Sequence, residues 1–278
     1  MKKVIGVDAG GHKVKIVGDE GEQSFLSNIC EYFERNVDEQ HGPDDMVWSY
    51  GNRKGFAGTL AAREDEFGGN MFGDSKAHED AKIRILLALH RYCSNGDEIY
   101  IVTGQPIGKH NPDEKQKIKN ALIGTHTITI NDYTKKLHIK GVEVAPEGSA
   151  AYWSNPIPGD VKVLDIGSGT VNAAAIQDKK HINSKSGTFN FGVETVNNKD
   201  FEAMARGIIR NTSKKWSKTD NVLICGGSAE MIAKHIQAHY SNAQVLQPQL
   251  RINTSIKMLH PVYANAVGFY YLAKGVFK

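Results

Sequence analysis

Two short segments carry chemistry-bearing residues in the same pattern. Val4-Ile5-Gly6-Val7-Asp8 runs into Ala9-Gly10-Gly11-His12-Lys13, and Val163-Leu164-Asp165-Ile166 runs into Gly167-Ser168-Gly169-Thr170. In each, an apolar strand carries an aspartate at its end, a glycine-rich turn follows, and a second apolar strand leaves the turn. Such a turn presents successive backbone N–H groups without Cβ obstruction, a cradle suited to phosphate oxygens. A carboxylate at the turn's entrance suits Mg²⁺, a hard ion that keeps waters and bridges phosphates, so Asp8 and Asp165 are the candidate metal residues. Lys13 adds a point charge beside the first turn. Either turn alone reads equally as an ordinary hairpin. The pair, one in each half of the chain, implies two similar lobes facing one ligand.

Two more segments extend the constellation. The strand-like run Asn221 to Cys225 ends in Gly226-Gly227-Ser228 before a helical pattern, which lets a flat base or ribose lie against the backbone near a helix N-terminus. Glu147, in Val144-Ala145-Pro146-Glu147-Gly148-Ser149-Ala150-Ala151, stands between the two repeats and is the candidate for orienting a hydrolytic water. An acidic residue in a first helical turn is the plain alternative. His235 and His239 have a zinc-compatible spacing but no third ligand, and Lys214-Lys215-Trp216-Ser217-Lys218 reads as a solvated helix end.

The elements around these residues alternate. Strands are predicted over residues 3–7, 13–17, 99–103 and 221–225, with hairpin strands at 126–130 and 136–144 around Asn131-Asp132. Helices are predicted from Glu79 to about Tyr92, over 112–122, 199–216 and 229–240, and finally over 262–274. Residues 42–78, rich in glycine and charge, read as a loop-rich insertion, either a cap over another part of the molecule or irregular surface. The overall pattern is α/β with mixed sheets.

Composition narrows the classes. The 278 residues carry 34 Lys and Arg against 31 Asp and Glu, a formal charge of +3, a near-balance too weak to argue nucleic-acid binding from charge. Cys30, Cys93 and Cys225 are scattered and odd in number, which suggests a reducing compartment, the cytoplasm, and no zinc ribbon. Asp8 breaks the opening apolar run, so no signal peptide is expected, and no stretch is long enough for a membrane span.

The ordered set of these segments, together with Tyr263-Ala264-Asn265-Ala266-Val267-Gly268-Phe269-Tyr270, resembles the phosphate-1, connect-1, phosphate-2, adenosine and connect-2 motifs of actin and its relatives. Within that superfamily the chain is most similar to bacterial plasmid-segregation actins of the ParM type. Pro146-Glu147-Gly148 and the stretch Met71-Phe72-Gly73-Asp74-Ser75-Lys76 support that choice. The resemblance implies the two-lobed superfold shared by actin, heat-shock chaperones and sugar kinases, with a nucleotide cleft. Domain I would span 1–147, completed by the helix 262–278, and domain II 148–261. It implies that Asp8 and Asp165 serve Mg²⁺, that Gly10, Gly11, His12, Lys13, Gly167, Ser168, Gly169 and Thr170 line the phosphates, and that Gly226, Gly227 and Ser228 meet the nucleoside of ATP or GTP. Glu147, with Asp165, would be catalytic. His12 departs from the hydroxyl or Asn common in that turn. The interval from Thr170 to Gly226 leaves no room for subdomain IIB, as in the short AlfA-like branch.

The function so implied is a nucleotide-dependent filament-forming ATPase for plasmid partition, self-associating and reaching DNA through a centromere-bound adaptor. A small-molecule kinase of the same superfold is the alternative, since type II pantothenate kinases also open with Asp-Ala-Gly-Gly. A binding or scaffold protein that retains the clamp without hydrolysis is a third.

Overall fold

The structure, a computed structural model, describes residues 1–36, 42–65 and 75–278. Residues 2–146 supply a nine-stranded sheet: β1 (Lys2–Ala9), β2 (Lys13–Gly18), β3 (Gly21–Leu26), β4 (Ile29–Glu31), β5 (Asp45–Tyr50), β6 (Arg53–Gly58), β7 (Glu98–Gln105), β8 (Gly124–Ile130) and β9 (Tyr133–Pro146). Their order is β3-β2-β1-β7-β9-β8-β5-β6-β4. The central strands β1 and β7 pair in parallel, and β7 pairs in parallel with β9. Such strands are covered on both faces, which is why Ile5, Val7, Ile99 and Ile101 are fully buried.

One face of this sheet packs against helix α2 (Glu79–Tyr92) through Ile83, Leu86 and Leu89. The short helix α1 (Thr59–Glu64) lies against the β4–β6 region, and α3 (Pro112–Leu122) starts on Pro112 behind the Asn111 cap. The four-residue α4 (Ser149–Tyr152) leads to the second half. The last helix begins after a 3₁₀ turn at Pro261–Tyr263 and runs two residues beyond its predicted end, from Ala264 to Val276. It crosses β1 at Gly6, where an added Cβ would come within 3.0 Å of the Phe269 backbone. Phe269 and Ala273 then pack against Val102 and Ala145 of the larger sheet.

Residues 161–245 form the smaller sheet, with β10 (Val161–Ile166), β11 (Val171–Gln177), β12 (Lys180–His181), β13 (Gly187–Phe189), β14 (Asn221–Gly226) and β15 (Asn242–Val245). Its order is β12-β11-β10-β14-β15, with β13 on β11. Helices α5 (Phe201–Thr212) and α6 (Ala229–Gln237) cover it; α5 is shorter than predicted because Asp200 caps it through Ala203 N and it ends at Thr212. Trp216, read as part of a basic surface run, is buried against Tyr240 and donates to the Lys185 carbonyl. A hairpin of β16 (Gln249–Ile252) and β17 (Ser255–Met258), unpredicted from sequence, completes the strands. The interval from Phe189 to Phe201 holds a 3₁₀ turn at Asn197–Lys199 and no inserted lobe.

Residues 42–65 differ from the loop-rich expectation, and its Gly68, Gly69 and Gly73 lie outside the described residues. Asp45–Tyr50 and Arg53–Gly58 pair as a hairpin, and α1 follows. The strand glycines Gly55 and Gly58 serve close packing: an added Cβ on Gly55 would lie 2.7 Å from the buried Trp48 ring. The stretch Met71 to Asp74, used in the resemblance, lies outside the described residues.

Candidate functional site: a cleft between two glycine turns

The two hairpins have one backbone plan. The β1–β2 ladder closes on the Ala9–Val14 pair and leaves residues 10–13 as its turn; β10–β11 closes on Ile166–Val171 and leaves 167–170. An added Cβ on the first turn residue would meet the carbonyl of the last in both cases, 2.9 Å from Gly10 to Lys13 O and 2.8 Å from Gly167 to Thr170 O. Glycine is what lets each turn fold back this tightly. The second turn residues face each other, because an added Cβ on Gly11 would sit 2.7 Å from Ser168 Oγ.

The turns wall a cavity of about 480 Å³, the size of a nucleotide-class ligand site. Every residue singled out from the sequence lines it: Asp8, Gly10, Gly11, His12 and Lys13 from the first turn, Asp165, Gly167, Ser168, Gly169 and Thr170 from the second, Gly226, Gly227 and Ser228 after β14, and Glu147 at the junction. Gly226 lies beside Ile166 in the parallel ladder at φ 100°, a conformation open to glycine, and places Gly227 beneath Val262.

Below the turns lies a buried polar floor. Asp8 faces Lys15 across its ladder, and Lys15 Nζ donates to Asp8 Oδ2 at 2.7 Å. Asp165 faces Asn172 at the same register position of the second ladder. Its Oδ2 accepts from Asn172 Nδ2 at 3.3 Å and from Asn265 Nδ2 of α7 at 2.9 Å. Glu147 sits at the corner after β9, held by its backbone N–H to the Gln105 carbonyl (3.0 Å), and its Oε2 accepts from Asn172 Nδ2 at 3.1 Å. Lys76 Nζ donates to Asp8 Oδ1 at 3.1 Å and also to Glu147 Oε1.

The acids differ electrostatically. Burial alone would raise Asp8, but Lys15 and Lys76 overcome it and hold the carboxyl at about 2. Burial raises Asp165, and the amides of Asn265 and Asn172 offset it only in part. Burial also raises Glu147, with the Asp8 and Asp165 charges adding to the effect and Lys76 opposing it. A buried acid raised in this way is suited to accepting a proton. Lys76 is disfavoured as a cation by burial, yet Glu147 and Asp8 outweigh that and keep it charged.

Among the described residues no cluster of three or more His, Cys, Asp or Glu is arranged to hold a metal by itself. Two or three carboxylates on one cavity nevertheless fit Mg²⁺, which completes its shell with water and phosphate oxygens rather than with a protein cage.

Sequence reasoning missed Lys15, Lys76, Asn172, Asn265 and Glu194. Lys15 and Asn172 each interrupt an otherwise apolar strand beside Val14 and Ile16 or Val171 and Ala173, and Asn265 is a lone amide in an apolar helix; those breaks were the available signal. Lys13, the predicted phosphate cation, is exposed at the rim, whereas Lys15 is buried on the floor. His12 Nδ1 lies 3.2 Å from Glu194 Oε1, whose backbone N–H bonds the Ser168 carbonyl at 2.9 Å, so the side chain spans the cleft. No helix among the described residues is long and apolar enough to cross a membrane.

Comparison with curated proteins finds no match. Among solved structures, an AlfA filament bound to AMPPNP shares 18% identity over the whole of both chains with a TM-score of 0.80. The apo pSK41 ParM protein matches at 16% identity and TM-score 0.74, covering 99% of this chain and 98% of that one. The archaeal actin homolog Ta0583 in complex with ADP matches at 18% and 0.76, covering 99% and 100%. These likenesses show the actin-like fold, here in a form with subdomain IIB reduced. The family model for the N-terminal domain of actin-like proteins matches residues 6–149, slightly more than half of the sequence, and the chain belongs to that actin-like family.

Proposed function

We propose that this chain is a nucleotide-dependent polymerising ATPase whose filaments segregate plasmid DNA. The observation that carries the reading is the pair of facing glycine turns above a floor of Asp8, Glu147 and Asp165. Gly10, Gly11, Lys13, Gly167, Gly169 and Thr170 cradle the phosphates, and Gly226, Gly227 and Ser228 meet the nucleoside. Asp8 and Asp165 would hold Mg²⁺, which when bound neutralises phosphate charge. Glu147 orients the attacking water and accepts its proton, since phosphoryl transfer asks the protein mainly for positioning and charge stabilisation.

The solved relatives include an AlfA filament bound to AMPPNP and an Alp12 filament, which supports self-association here. Nucleotide contacts on both lobes bias their closure, closure favours a head-to-tail contact that does not close into a ring, and hydrolysis weakens it. A centromere-bound adaptor in the cytoplasm meets the DNA, in keeping with the formal charge of +3. Ultracentrifugal pelleting with and without Mg²⁺ and ATP or GTP, paired with phosphate release, tests this. Sedimentation that requires nucleotide is expected; a soluble protein that phosphorylates a metabolite would replace this reading with the kinase. Glu147→Ala is expected to slow phosphate release about 100-fold while assembly persists.

A further inference from the structure

We propose that Lys76 is the residue by which this site distinguishes a nucleoside triphosphate from a diphosphate: its ammonium, lying between Asp8 and Glu147 on the cleft floor, pairs with the terminal phosphoryl group. The inference rests on the nucleotide reading above and adds a residue to it.

Charge along the cavity sets the direction of the ligand. The wall at Gly226, Gly227, Pro261 and Val262 carries no charged side chain, whereas Asp8, Lys15, Lys76, Glu147 and Asp165 gather beneath the turns. A nucleoside seated at the first leaves its phosphate tail pointing to the second. There the buried carboxylates outnumber the ammonium groups, so an incoming phosphoryl group is repelled unless a cation turns toward it. Lys15 is tied to Asp8 by direct cross-strand pairing. Lys76 instead reaches the floor from the segment before α2, 68 residues from Asp8 and 71 from Glu147, and bridges two acids with one flexible stem.

Its backbone is fixed, while the four-carbon stem that carries its paired head can redirect it. The Lys76 N–H donates to Gln105 Oε1 at 2.8 Å, and the Gln105 carbonyl accepts from Glu147 N at 3.0 Å, so one buried residue holds both partners. Gln105 Nε2 in turn reaches Ser75 Oγ at 3.0 Å. When the ammonium swings to a terminal phosphoryl group, Glu147 keeps its Asn172 bond on Oε2 and frees Oε1 for water. A diphosphate ends short of that point and leaves the Lys76–Glu147 contact closed.

The test is calorimetric titration with ADP and with AMPPNP, both with Mg²⁺, on the wild type, Lys76→Gln and Lys76→Arg. Lys76→Gln is expected to lose at least about 10-fold in AMPPNP affinity, the scale of one hydrogen bond to a charged group, with ADP changed less than about 2-fold. Lys76→Arg should retain most of the preference. Equal losses for both ligands would mean that Lys76 only neutralises the floor and would overturn the proposal, as would no loss. Should Lys76→Gln fail to fold, hydrogen exchange on the wild type decides: amides of residues 76–82 should be protected more by AMPPNP than by ADP, and equal protection overturns it. A wild type that binds neither nucleotide defeats the underlying reading instead, a result the titration separates from all the others.

Discussion

In the β1–β2 hairpin the acid Asp8 faces a lysine across the ladder; in β10–β11 the acid Asp165 faces an asparagine at the equivalent position. Turn length, the glycine that opens each turn and the carbonyl it folds against are the same in both. The chemistry is not. Two ammonium groups hold Asp8 ionised, whereas neutral amides leave Asp165 raised by its own burial. A repeated backbone therefore supplies two different carboxylates, one hydrogen-bonded by ammonium groups and one hydrogen-bonded by neutral amides, with Lys15 acting on it only at a distance. On the proposed reading Asp165 is the acid that gains most from an arriving metal.

Removing each acid in turn gives the largest contrast. Asp8→Asn leaves Lys15 and Lys76 buried with one counter-charge fewer, and should cost about 2–4 kcal/mol in urea unfolding at pH 7. The sign with pH follows from the lowered value: stability from ionised Asp8 is present above its ordinary 3.8 and is lost as pH falls toward about 2. The gap between wild type and Asp8→Asn should therefore narrow from pH 4 to pH 2. A gap that widened on acidification would remove Asp8 from the ion-pair role.

The opening glycines come next. Gly10→Ala and Gly167→Ala each push a Cβ into a backbone carbonyl and should cost about 1–3 kcal/mol. Equal losses would support one shared turn geometry, and a loss in only one hairpin would break the equivalence.

These turns were legible because their signals are local. The same holds for the β8–β9 hairpin, where Asn131 and Asp132 take φ of 48° and 68°, and for α3, which runs over the predicted residues 112–122. What the sequence hid depends on distant contacts. Asn265 meets Asp165 from 100 residues away, and Lys76 reaches Asp8 from 68, with no periodicity to announce either. The β5–β6 hairpin was hidden for the opposite reason: Gly55, read as a loop residue, allows the strands to crowd the Trp48 ring.

Asp165→Asn should change stability by less than about 1 kcal/mol at neutral pH, because the variant's side-chain oxygen still accepts from Asn172 and Asn265 and a buried charge is removed. Its raised carboxyl loses stability as pH climbs from the ordinary 3.8 toward the folded value, so the variant should gain on the wild type over that climb. Phosphate release should nevertheless fall, separating function from fold. A destabilisation as large as that of Asp8→Asn would erase the distinction between the two carboxylates.

The smallest effect belongs to the turn position where the hairpins differ most in size, His12 against Gly169. His12 meets Glu194 across the cleft, but the two side chains are 60% and 40% exposed, so water and salt screen the contact. His12→Ala should cost no more than about 0.5 kcal/mol, and that small cost should vanish in 0.5 M salt. Gly169→Ala, with nothing within 4 Å of the added Cβ, should be neutral to folding. A His12→Ala loss above about 1.5 kcal/mol that survived salt would mean the contact is a strut between the lobes rather than a screened surface pair. The contact would then add to the polar floor, α7 and the Gly108–Thr188 bond that already join the lobes, and the division of labour between the hairpins would extend from their acids to their tips.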